Sequence, residues 1–465
     1  MITSHRKDEF LDWMKELLYH SFVLGNKKDS YLETMGYIEQ LVEEHRSLGG
    51  VGSRLKALVP SVSHFHTRLH LKEAFEMYDD KYAVTQRRHL APTFNEIRHI
   101  LNLSQLIAIG TELKFVSFDG DQTLYSDGGN FEEKSGLSYQ IIELLKAGIV
   151  VCVITAANYQ HDGSKYEIRL AGLLRRFIKA NLSAEEIQRF HIMGGECNFL
   201  LQCKMTKLPD GECNPHSRYG HKASLEPVMH EVWQADHYNA PKPYKWDKDK
   251  VSAFLDAAES SFRQSKADLR LRTRIIRKPT SVGMIPGGEP MVEAVPVGHG
   301  SLKIKAEALD EVVLRALDNI QALPEELKQL HYCAFNGGRD CWVDVGTKGV
   351  AVEALQAYFN IPKHGCLHIG DQFLQTGNDI SARDTCATIW ITSPKETFKI
   401  LDHLLRFSLG MDKVDRAAAA AKADDLEELS LSPTTSPRRA RAPPSPPRMD
   451  VYTGEVTVKD DKVPK

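Results

Sequence analysis

Two carboxylates stand one residue apart at the end of a short apolar run. Asp119 and Asp121 follow residues 113–118, which are mostly aromatic and aliphatic and predict a buried strand. In a parallel α/β sheet, functional groups collect at the carboxyl ends of strands, and Asp121 would point to the same side as Asp119. Such a pair suits a hard cation such as Mg²⁺, or an ionised nucleophile beside a protonated acid. An acidic turn without chemistry is the alternative.

Three further polar residues end predicted strands or open a predicted helix, and two of them, Thr155 and Lys348, could hold a phosphate. Residues 149–154 predict a second buried strand, and the hydroxyl of Thr155 at its end could donate to a phosphate oxygen. Lys348 opens a predicted helix, where the helix dipole favours an anion. Asp371 follows another strand-like run, residues 366–369. Each residue alone is better explained as a strand end or a surface lysine, but their order along the chain favours a phosphate site.

The composition is that of a large globular protein. A chain of 465 residues predicts two or three domains, and a net charge of -3 gives no general indication of binding to nucleic acid or to an anionic membrane. The first residues lack the apolar core of a signal peptide, and the longest apolar run is too short to span a bilayer. Eight cysteines without a close CxxC pair indicate reduced thiols, so we expect a cytoplasmic protein.

The pattern along the chain predicts four parts. Residues 1–110 carry apolar stripes at helical spacing and predict an N-terminal helical domain. Residues 111–158 and 327–410 predict an α/β core, and residues 159–326 predict an inserted domain of mixed α and β character. Residues 411–465 are rich in Pro, Ser, Ala and Arg, and we expect a disordered tail because such a segment cannot bury enough apolar surface to fold.

A basic cluster lies near the end of the helical part. A capping-box pattern predicts that a helix begins at Phe94, within this cluster. The cluster could hold an anion. A solvated basic face, or pairing with acids at a subunit interface, is the alternative. Its members are Arg87, Arg88, His89, Arg98 and His99.

The order of these parts resembles the haloacid dehalogenase superfamily of phosphotransferases. The resemblance implies an α/β fold with a Rossmannoid core and a parallel sheet, an inserted α+β cap of the C2 type at residues 159–326, and the N-terminal helical domain. No Walker-type glycine loop is present, so the sequence does not indicate an ATP-driven kinase. The residues that carry the resemblance are Asp119, Asp121, Thr123, Thr155, Lys348, Gly370, Asp371, Asn378 and Asp379.

Within that superfamily, the chain resembles the IMP-specific 5′-nucleotidase family from about residue 4 to residue 412. The resemblance implies a cytosolic, Mg²⁺-dependent enzyme that hydrolyses inosine 5′-monophosphate (IMP) to inosine and phosphate. It also implies a homotetramer with ATP as an allosteric activator bound through the N-terminal region. The matching segments are 87–89, 97–102, 118–125, 127–129, 192–196, 335–338, 370–373 and 377–379.

Both the residues and the resemblance assign roles in the reaction. Asp119 would be the nucleophile that forms an aspartyl-phosphate, and Asp121 the general acid and base. Mg²⁺ would be held by Asp119, by Asp371 and by Asp121, the last through its backbone carbonyl. The resemblance adds nucleotide contacts beyond the phosphate by Asp127 and Asp340. The expected substrate contacts are Asp119, Asp121, Asp127, Thr155, Asp340 and Lys348.

The resemblance also supports an effector site, for which His99 is the best single candidate and Arg88 the second. Two other functions remain open from the sequence. One is a capped phosphatase or mutase of the same superfamily that acts on a sugar phosphate. The other is a non-catalytic nucleotide sensor, against which the intact set of acidic and lysine residues argues.

Overall fold

The computed structural model describes residues 8–23, 27–207, 220–287 and 304–411, together with two short strands at 448–449 and 456–457. Within these ranges no helix is long and apolar enough to cross a membrane. Apart from the two short strands, the tail expected at residues 411–465 lies outside the described residues from residue 412 onwards.

The helices within the described ranges are α1 Glu9–Val23, α2 Lys27–Ser47, α3 Arg54–Leu58, α4 Leu71–Tyr82, α5 Phe94–Ile109, α6 Leu137–Lys146, α7 Gly163–Lys179, α8 Ala184–Ile187, α9 His230–Trp233, α10 Lys248–Asp268, α11 Ala306–Gln321, α12 Glu325–Lys328, α13 Lys348–Phe359 and α14 Pro394–Leu409.

The strands are β1 Phe115–Phe118, β2 Val150–Thr155, β3 Phe190–Gly194, β4 Phe199–Lys207, β5 His221–Pro227, β6 Thr273–Arg277, β7 Ser281–Pro286, β8 Tyr332–Asn336, β9 Cys341–Val345, β10 Cys366–Gly370, β11 Ala387–Trp390, β12 Arg448–Met449 and β13 Val456–Thr457.

The helices α1 to α5 pack around a hydrophobic core of their own, which includes Met14, Ile38, Phe75 and Ile97. The predicted start of α5 at Phe94 is confirmed, since Thr93 and Glu96 form both hydrogen bonds of a capping box. Helix α5 also packs against β11 and α14, so the helical part is joined directly to the sheet that follows it.

A seven-stranded sheet forms the core, in the order β11-β10-β1-β2-β3-β4-β5. The five strands from β11 to β3 are parallel, and β4 and β5 continue the sheet as antiparallel strands. All residues of the central strand β1 are buried, as expected for a parallel strand that is covered on both faces. Phe118 pairs with Ile369 of β10 and with Val153 of β2. The register therefore places the carboxyl ends of β1, β2 and β10 at one edge.

A second, four-stranded antiparallel sheet, β6-β7-β9-β8, forms the cap. The helices α10 and α11 pack against this sheet, and Phe254, Phe262, Val313 and Val343 are among the buried residues between the layers. The chain leaves the core sheet after β5 and returns to it after β9.

The strand pairing changes the boundaries expected from the sequence. Strands β3, β4 and β5 lie within residues 159–326, the range expected for the cap, yet they extend the core sheet. Strands β8 and β9 were expected in the resumed core, residues 327–410, but pair with β7 and with each other in the cap. The hairpin expected at Gly337 and Gly338 is present between β8 and β9. An apolar pattern predicts a strand without identifying its hydrogen-bonding partner, which explains the error.

Candidate active site

Asp119 lies directly after β1, where its backbone amide donates to the Ile369 carbonyl oxygen at 2.9 Å and its side chain is buried. The next residue, Gly120, permits a close turn, because a Cβ there would lie 2.4 Å from the hydroxyl oxygen of Tyr125. The prediction that Asp119 ends a buried strand is thus confirmed.

Lys348 is the first residue of α13, and it is completely buried. Its Nζ donates to Asp119 Oδ1 and to Asp379 Oδ1, both at 2.6 Å. Burial alone would lower the pKa of Lys348, but the two carboxylates outweigh it and raise that pKa above its usual value. A permanently charged ammonium therefore lies beside the predicted nucleophile. The hydroxyl of Thr347 caps this helix by accepting from the Val350 amide at 3.1 Å.

Three carboxylates gather around this lysine. One oxygen from each of Asp119, Asp371 and Asp379 lies within 4.8 Å of the others. Burial and the neighbouring charge of Asp379 raise the pKa of Asp119 to about 7, although Lys348 opposes the shift. Burial and Asp119 raise the pKa of Asp371 well above its usual value. For Asp379, burial is outweighed by Lys348 and by His368, whose Nε2 lies 3.0 Å away, and its pKa is lowered.

This acid cluster suits a hard cation. The Oδ1 atom of Asp371 is buried and has no hydrogen-bond partner within the part of the chain that the structure describes. Buried carboxylates are stable when they are paired or coordinate a metal, and carboxylate oxygens are the ligands that Mg²⁺ prefers. Two of the three predicted metal ligands, Asp119 and Asp371, belong to the cluster. The carboxylate of Asp121 does not, and Asp379 takes the third place.

The Asp121 side chain turns toward a different set of partners. Its Oδ1 accepts from the Gly128 amide at 2.9 Å and from Arg169 Nη2 at 2.8 Å, and 38% of its side chain is exposed. Arg169 comes from α7 and has no place in the sequence motifs. On a single sequence it looks like one of several arginines on an amphipathic helix, so tertiary packing alone reveals it.

Two other buried polar residues near the cluster also lack a sequence-based role. His368 lies in β10, and its Nδ1 is 2.9 Å from Ser117 Oγ. Glu196 follows β3, and its Oε1 accepts from Asn378 Nδ2 at 2.9 Å. Burial raises the pKa of Glu196 to about 7. Only the pairing of strands brings these residues to the end of β1.

A cavity of about 230 Å³ opens between the cluster and the cap. Five of the six predicted substrate contacts line it, whereas Lys348 lies buried beside Asp119. Arg339 Nε of the cap contacts Asp127 Oδ2 at 2.8 Å, and Lys278 Nζ lies 4.8 Å from the centre of the Trp342 ring. The residues that line this cavity include Asp119, Asp121, Asp127, Thr155 and Arg169 from the core, and Lys278, Phe335, Arg339, Asp340 and Trp342 from the cap.

The two predicted effector residues separate in the structure. The Nε2 atom of His99 lies 2.7 Å from Glu396 Oε1, and His99 lines a cavity of about 380 Å³ between α4, α5 and α14. Arg88 is exposed and does not line that cavity. Two other members of the basic cluster, Arg87 and Arg98, form ion pairs with acids of the same chain.

Comparison with known proteins gives this geometry a family. The family model described as IMP-specific 5′-nucleotidase matches residues 1–401. The chain belongs to the IMP-specific 5′-nucleotidase family. The IMP-specific 5′-nucleotidase 1 of Kluyveromyces lactis is 37% identical over 432 residues, covering 87% of this chain and 97% of the relative. That of Plasmodium falciparum is 34% identical over 404 residues, covering 87% and 84%.

Solved structures agree with this IMP-specific 5′-nucleotidase assignment. An IMP-bound mutant of the Plasmodium falciparum IMP-nucleotidase matches with a TM-score of 0.74 and 33% identity, covering 88% of this chain and 96% of that one. The ATP-bound form of that enzyme matches with a TM-score of 0.71 and 32% identity, covering 88% and 87%. The predicted haloacid dehalogenase-like α/β fold and the predicted enzyme class, a phosphoric monoester hydrolase, are confirmed.

Proposed function

We propose that this chain is a Mg²⁺-dependent enzyme that hydrolyses IMP through an aspartyl-phosphate on Asp119 and is activated by ATP. The observation that carries the proposal is the placement of Lys348. Its ammonium contacts Asp119 at the carboxyl edge of a parallel sheet, and Asp119 also lines the cavity that a phosphate ester would enter.

The reaction has two steps. In the first, a carboxylate oxygen of Asp119 forms a bond to phosphorus as the bond between phosphorus and the 5′ oxygen breaks, and Asp121 gives its proton to that oxygen. In the second, the oxygen of a water molecule bonds to phosphorus as the bond between phosphorus and the Asp119 oxygen breaks. Asp121 takes a proton from this water, and inorganic phosphate leaves. Asp121 suits both steps because it lines the cavity and keeps part of its side chain exposed.

Two residues would hold the transferring phosphoryl group. The Lys348 ammonium, at the first position of α13, offsets the negative charge of the phosphoryl group. The Thr155 hydroxyl accepts from the Ala157 amide at 3.1 Å, which leaves its own hydrogen for a phosphate oxygen.

The carboxylates of Asp119 and Asp371, with the backbone carbonyl of Asp121, would hold Mg²⁺, and Asp379 lies close enough to share that role. When bound, Mg²⁺ supplies positive charge that neutralises the phosphate oxygens. The fit rests on the surplus of carboxylates in this cluster and on the unpartnered Asp371 oxygen.

The cap would enclose the rest of the nucleotide. Asp127 from the core and Asp340 from the cap both line the cavity, beside the aromatic rings of Phe335 and Trp342. Aromatic and cationic side chains suit a purine base, and a covered cavity excludes bulk water from the reaction.

ATP would bind in the cavity that His99 lines. The cavity also receives Lys81, Lys395 and Lys399, which suit a polyphosphate, and Tyr78, which suits a base. A chain of hydrogen bonds from this cavity to the proposed metal ligand Asp371 supports a regulatory role. Arg98 at this cavity donates to the carbonyl oxygen of Trp390, and Trp390 Nε1 donates to the Asp371 carbonyl oxygen at 2.9 Å.

The family also leads us to infer a cytoplasmic homotetramer. Several large apolar side chains of the helical part are exposed, which supports an interface on that part of the chain. They include Tyr19, Val23, Tyr37, Val51 and Leu90. Light scattering of the purified chain tests the oligomeric state, and a monomer at micromolar concentration would contradict it.

The test of function is phosphate release from IMP, AMP, GMP and a sugar phosphate, each with and without Mg²⁺ and ATP. We expect IMP with Mg²⁺ to be preferred and ATP to raise the rate. Preference for the sugar phosphate would favour the alternative phosphatase or mutase, and no release from any ester would favour a non-catalytic sensor.

A further inference from the structure

Arg169 contacts the proposed acid–base residue from within a packed helix. Its Nη2 donates to Asp121 Oδ1 at 2.8 Å, and only 7% of the arginine side chain is exposed. The guanidinium lies over the ring of Tyr125, 5.0 Å from its centre. Burial and the contact with Tyr125 therefore restrict the Arg169 guanidinium to an orientation in which it contacts Asp121.

Close packing of α7 fixes the origin of this side chain. Gly172 packs so closely against residues 131–133 that a Cβ there would lie 2.3 Å from the Phe131 carbonyl oxygen. The Phe131 amide donates to the Arg169 carbonyl oxygen at 2.7 Å. Residues three apart share a helix face, so Arg169 and Gly172 face the same segment. A side chain on a packed helix is held more accurately than one on a loop.

The two oxygens of Asp121 consequently have different environments. Oδ1 accepts two hydrogen bonds, from Arg169 and from the Gly128 amide, whereas Oδ2 accepts none from the described residues. An oxygen that already accepts from two donors is a poor position for a proton. Oδ2 is therefore the Asp121 oxygen to which no described residue donates, and Asp121 lines the cavity.

We propose that Arg169 is a positioning residue that, with the Gly128 amide, holds Asp121 so that Oδ2 alone exchanges protons with the substrate. The inference rests on the proposed acid–base role of Asp121. As the bond from phosphorus to the 5′ oxygen breaks, the proton moves from Oδ2 to that oxygen. In the second step the proton of the attacking water moves to the same Oδ2.

Arg169 also lines the cavity, so a direct contact with the nucleotide is the competing role. The two roles differ in what they affect. A positioning residue changes the chemistry of the leaving group and leaves ground-state binding of IMP largely intact. A nucleotide ligand changes IMP affinity and has no influence on a substrate that lacks the nucleoside.

The experiment compares Arg169→Met, which removes the guanidinium but keeps an extended apolar side chain, with Arg169→Lys, which keeps a charge. Arg175→Met is the matched control, because Arg175 lies on the same helix and pairs with Glu133 at 2.8 Å outside the cavity. Each full-length variant is assayed with Mg²⁺ on IMP and on p-nitrophenyl phosphate, whose leaving group needs little protonation. Calorimetry measures IMP binding in the Asp119→Asn background, with and without Arg169→Met.

We expect Arg169→Met to lower kcat/KM for IMP about 100-fold, within the range that general acid–base catalysis contributes, and kcat/KM for p-nitrophenyl phosphate by less than about threefold. The IMP dissociation constant in the Asp119→Asn background should change less than about threefold, as for an interaction made in the transition state. Arg169→Lys should restore part of the IMP rate, and Arg175→Met should match the parent.

Equal losses on both substrates would overturn the inference, because they would indicate general damage to the site. A loss of IMP affinity as large as the loss of rate would overturn it in favour of a nucleotide ligand. A parent chain that fails to hydrolyse IMP contradicts the proposed function itself. A parent that hydrolyses IMP while Arg169→Met keeps its full rate contradicts only the role of Arg169.

Discussion

Two buried charge clusters in this molecule are built on opposite principles. At the edge of the core sheet, three carboxylates share one lysine and one histidine, and an Asp371 oxygen has no partner among the described residues. At the junction of α5 and α14, a single carboxylate, Glu396, meets Arg98 at 2.8 Å and His99 at 2.7 Å. Thr392 donates to Glu396 as well.

The pKa shifts express this contrast. In the catalytic cluster, burial raises the pKa of Asp119 to about 7. At the junction, burial is outweighed by hydrogen bonds from His99 and Arg98, and the pKa of Glu396 is lowered to about 2. A buried cluster with more carboxylates than cationic side chains needs a bound cation to balance its charge, whereas a cluster whose charges already balance does not. The first is thus suited to binding and chemistry, and the second to joining two parts of the fold.

The largest effect should follow from changing the nucleophile. Asp119→Asn should lower the rate of IMP hydrolysis by at least about 10⁴-fold, because an amide cannot form the acyl-phosphate. Lys348 keeps Asp379 as a partner, so the fold should persist. Steady-state assays with circular dichroism as the folding control test this. A folded Asp119→Asn enzyme with near-parental activity would refute the assignment of the nucleophile.

If the cluster of Asp119, Asp371 and Asp379 binds a cation, Mg²⁺ should raise the thermal stability of the protein. At a Mg²⁺ concentration 100-fold above its dissociation constant, binding should stabilise the parent by about 2.7 kcal/mol. Asp371→Asn should lose most of this gain, because it removes the negative charge of a carboxylate whose Oδ1 has no partner among the described residues. Asp384→Asn is the control, since Asp384 is exposed and outside the cluster. Equal stabilisation of Asp371→Asn and the parent would place the cation elsewhere.

The sequence predicts the parts of the catalytic cluster that depend on local structure. Asp119 and Asp371 follow buried strands, and Lys348 opens a helix, so an apolar pattern with a polar end locates all three. Asp379 belongs to a recognised segment, but its ion pair with Lys348 depends on how a loop folds back over the sheet. Arg169 depends on helix packing at Gly172, which leaves no local signature.

The junction cluster and the cap boundary show the same limit. In the sequence, Arg98 and His99 look like part of a solvated basic face. In the structure, Arg98 is almost fully buried, because it pairs with Glu396 of α14, which lies 298 residues later in the chain. Strands β3 to β5 look like part of the insert until their pairing with β2 is known. Local sequence patterns therefore predict the helices and strands, whereas contacts between distant parts of the chain decide which sheet a strand joins and which side chains pair.

The cluster of Glu396, Arg98 and His99 at the junction of α5 and α14 should stabilise the fold, so disrupting it should lower the free energy of unfolding. Arg98→Met should reduce the free energy of unfolding by about 3–5 kcal/mol, because it leaves Glu396 buried without its main counter-charge. Chemical denaturation measures this, and a double-mutant cycle with Glu396→Gln separates the pair from other contacts. A loss below about 1 kcal/mol would mean that the pair behaves like a surface ion pair.

Acid should weaken the junction in a defined window. The pKa of Glu396 is depressed in the folded chain to about 2. Its stabilisation is present above the ordinary carboxyl value near 4.3, and roughly 3 kcal/mol is lost as pH falls from there toward 2. The stability difference between the parent and Glu396→Gln should therefore shrink across this window. A difference that stays constant between pH 5 and pH 2 would contradict the depressed pKa.

The smallest effect should come from the effector cavity beside the junction. His99→Ala should weaken ATP activation by an amount on the order of 1–3 kcal/mol of coupling, because the imidazole both lines the cavity and contacts Glu396. Arg88→Ala is the matched control, since Arg88 is exposed and does not line the cavity, although the family resemblance favours both residues.

The measurement is the ratio of activity with ATP to activity without it, across a range of ATP and IMP concentrations. A raised half-saturating ATP concentration in His99→Ala, with Arg88→Ala near the parent, would locate the effector in this cavity. The reverse pattern would move it to the exposed face around Arg88, and the junction cluster would then be structural only. Because His99 contacts Glu396 and also lines the cavity, a phosphate group bound there would compete with the Glu396 carboxylate for the imidazole, and a nucleotide would loosen the contact between α5 and α14 in this way.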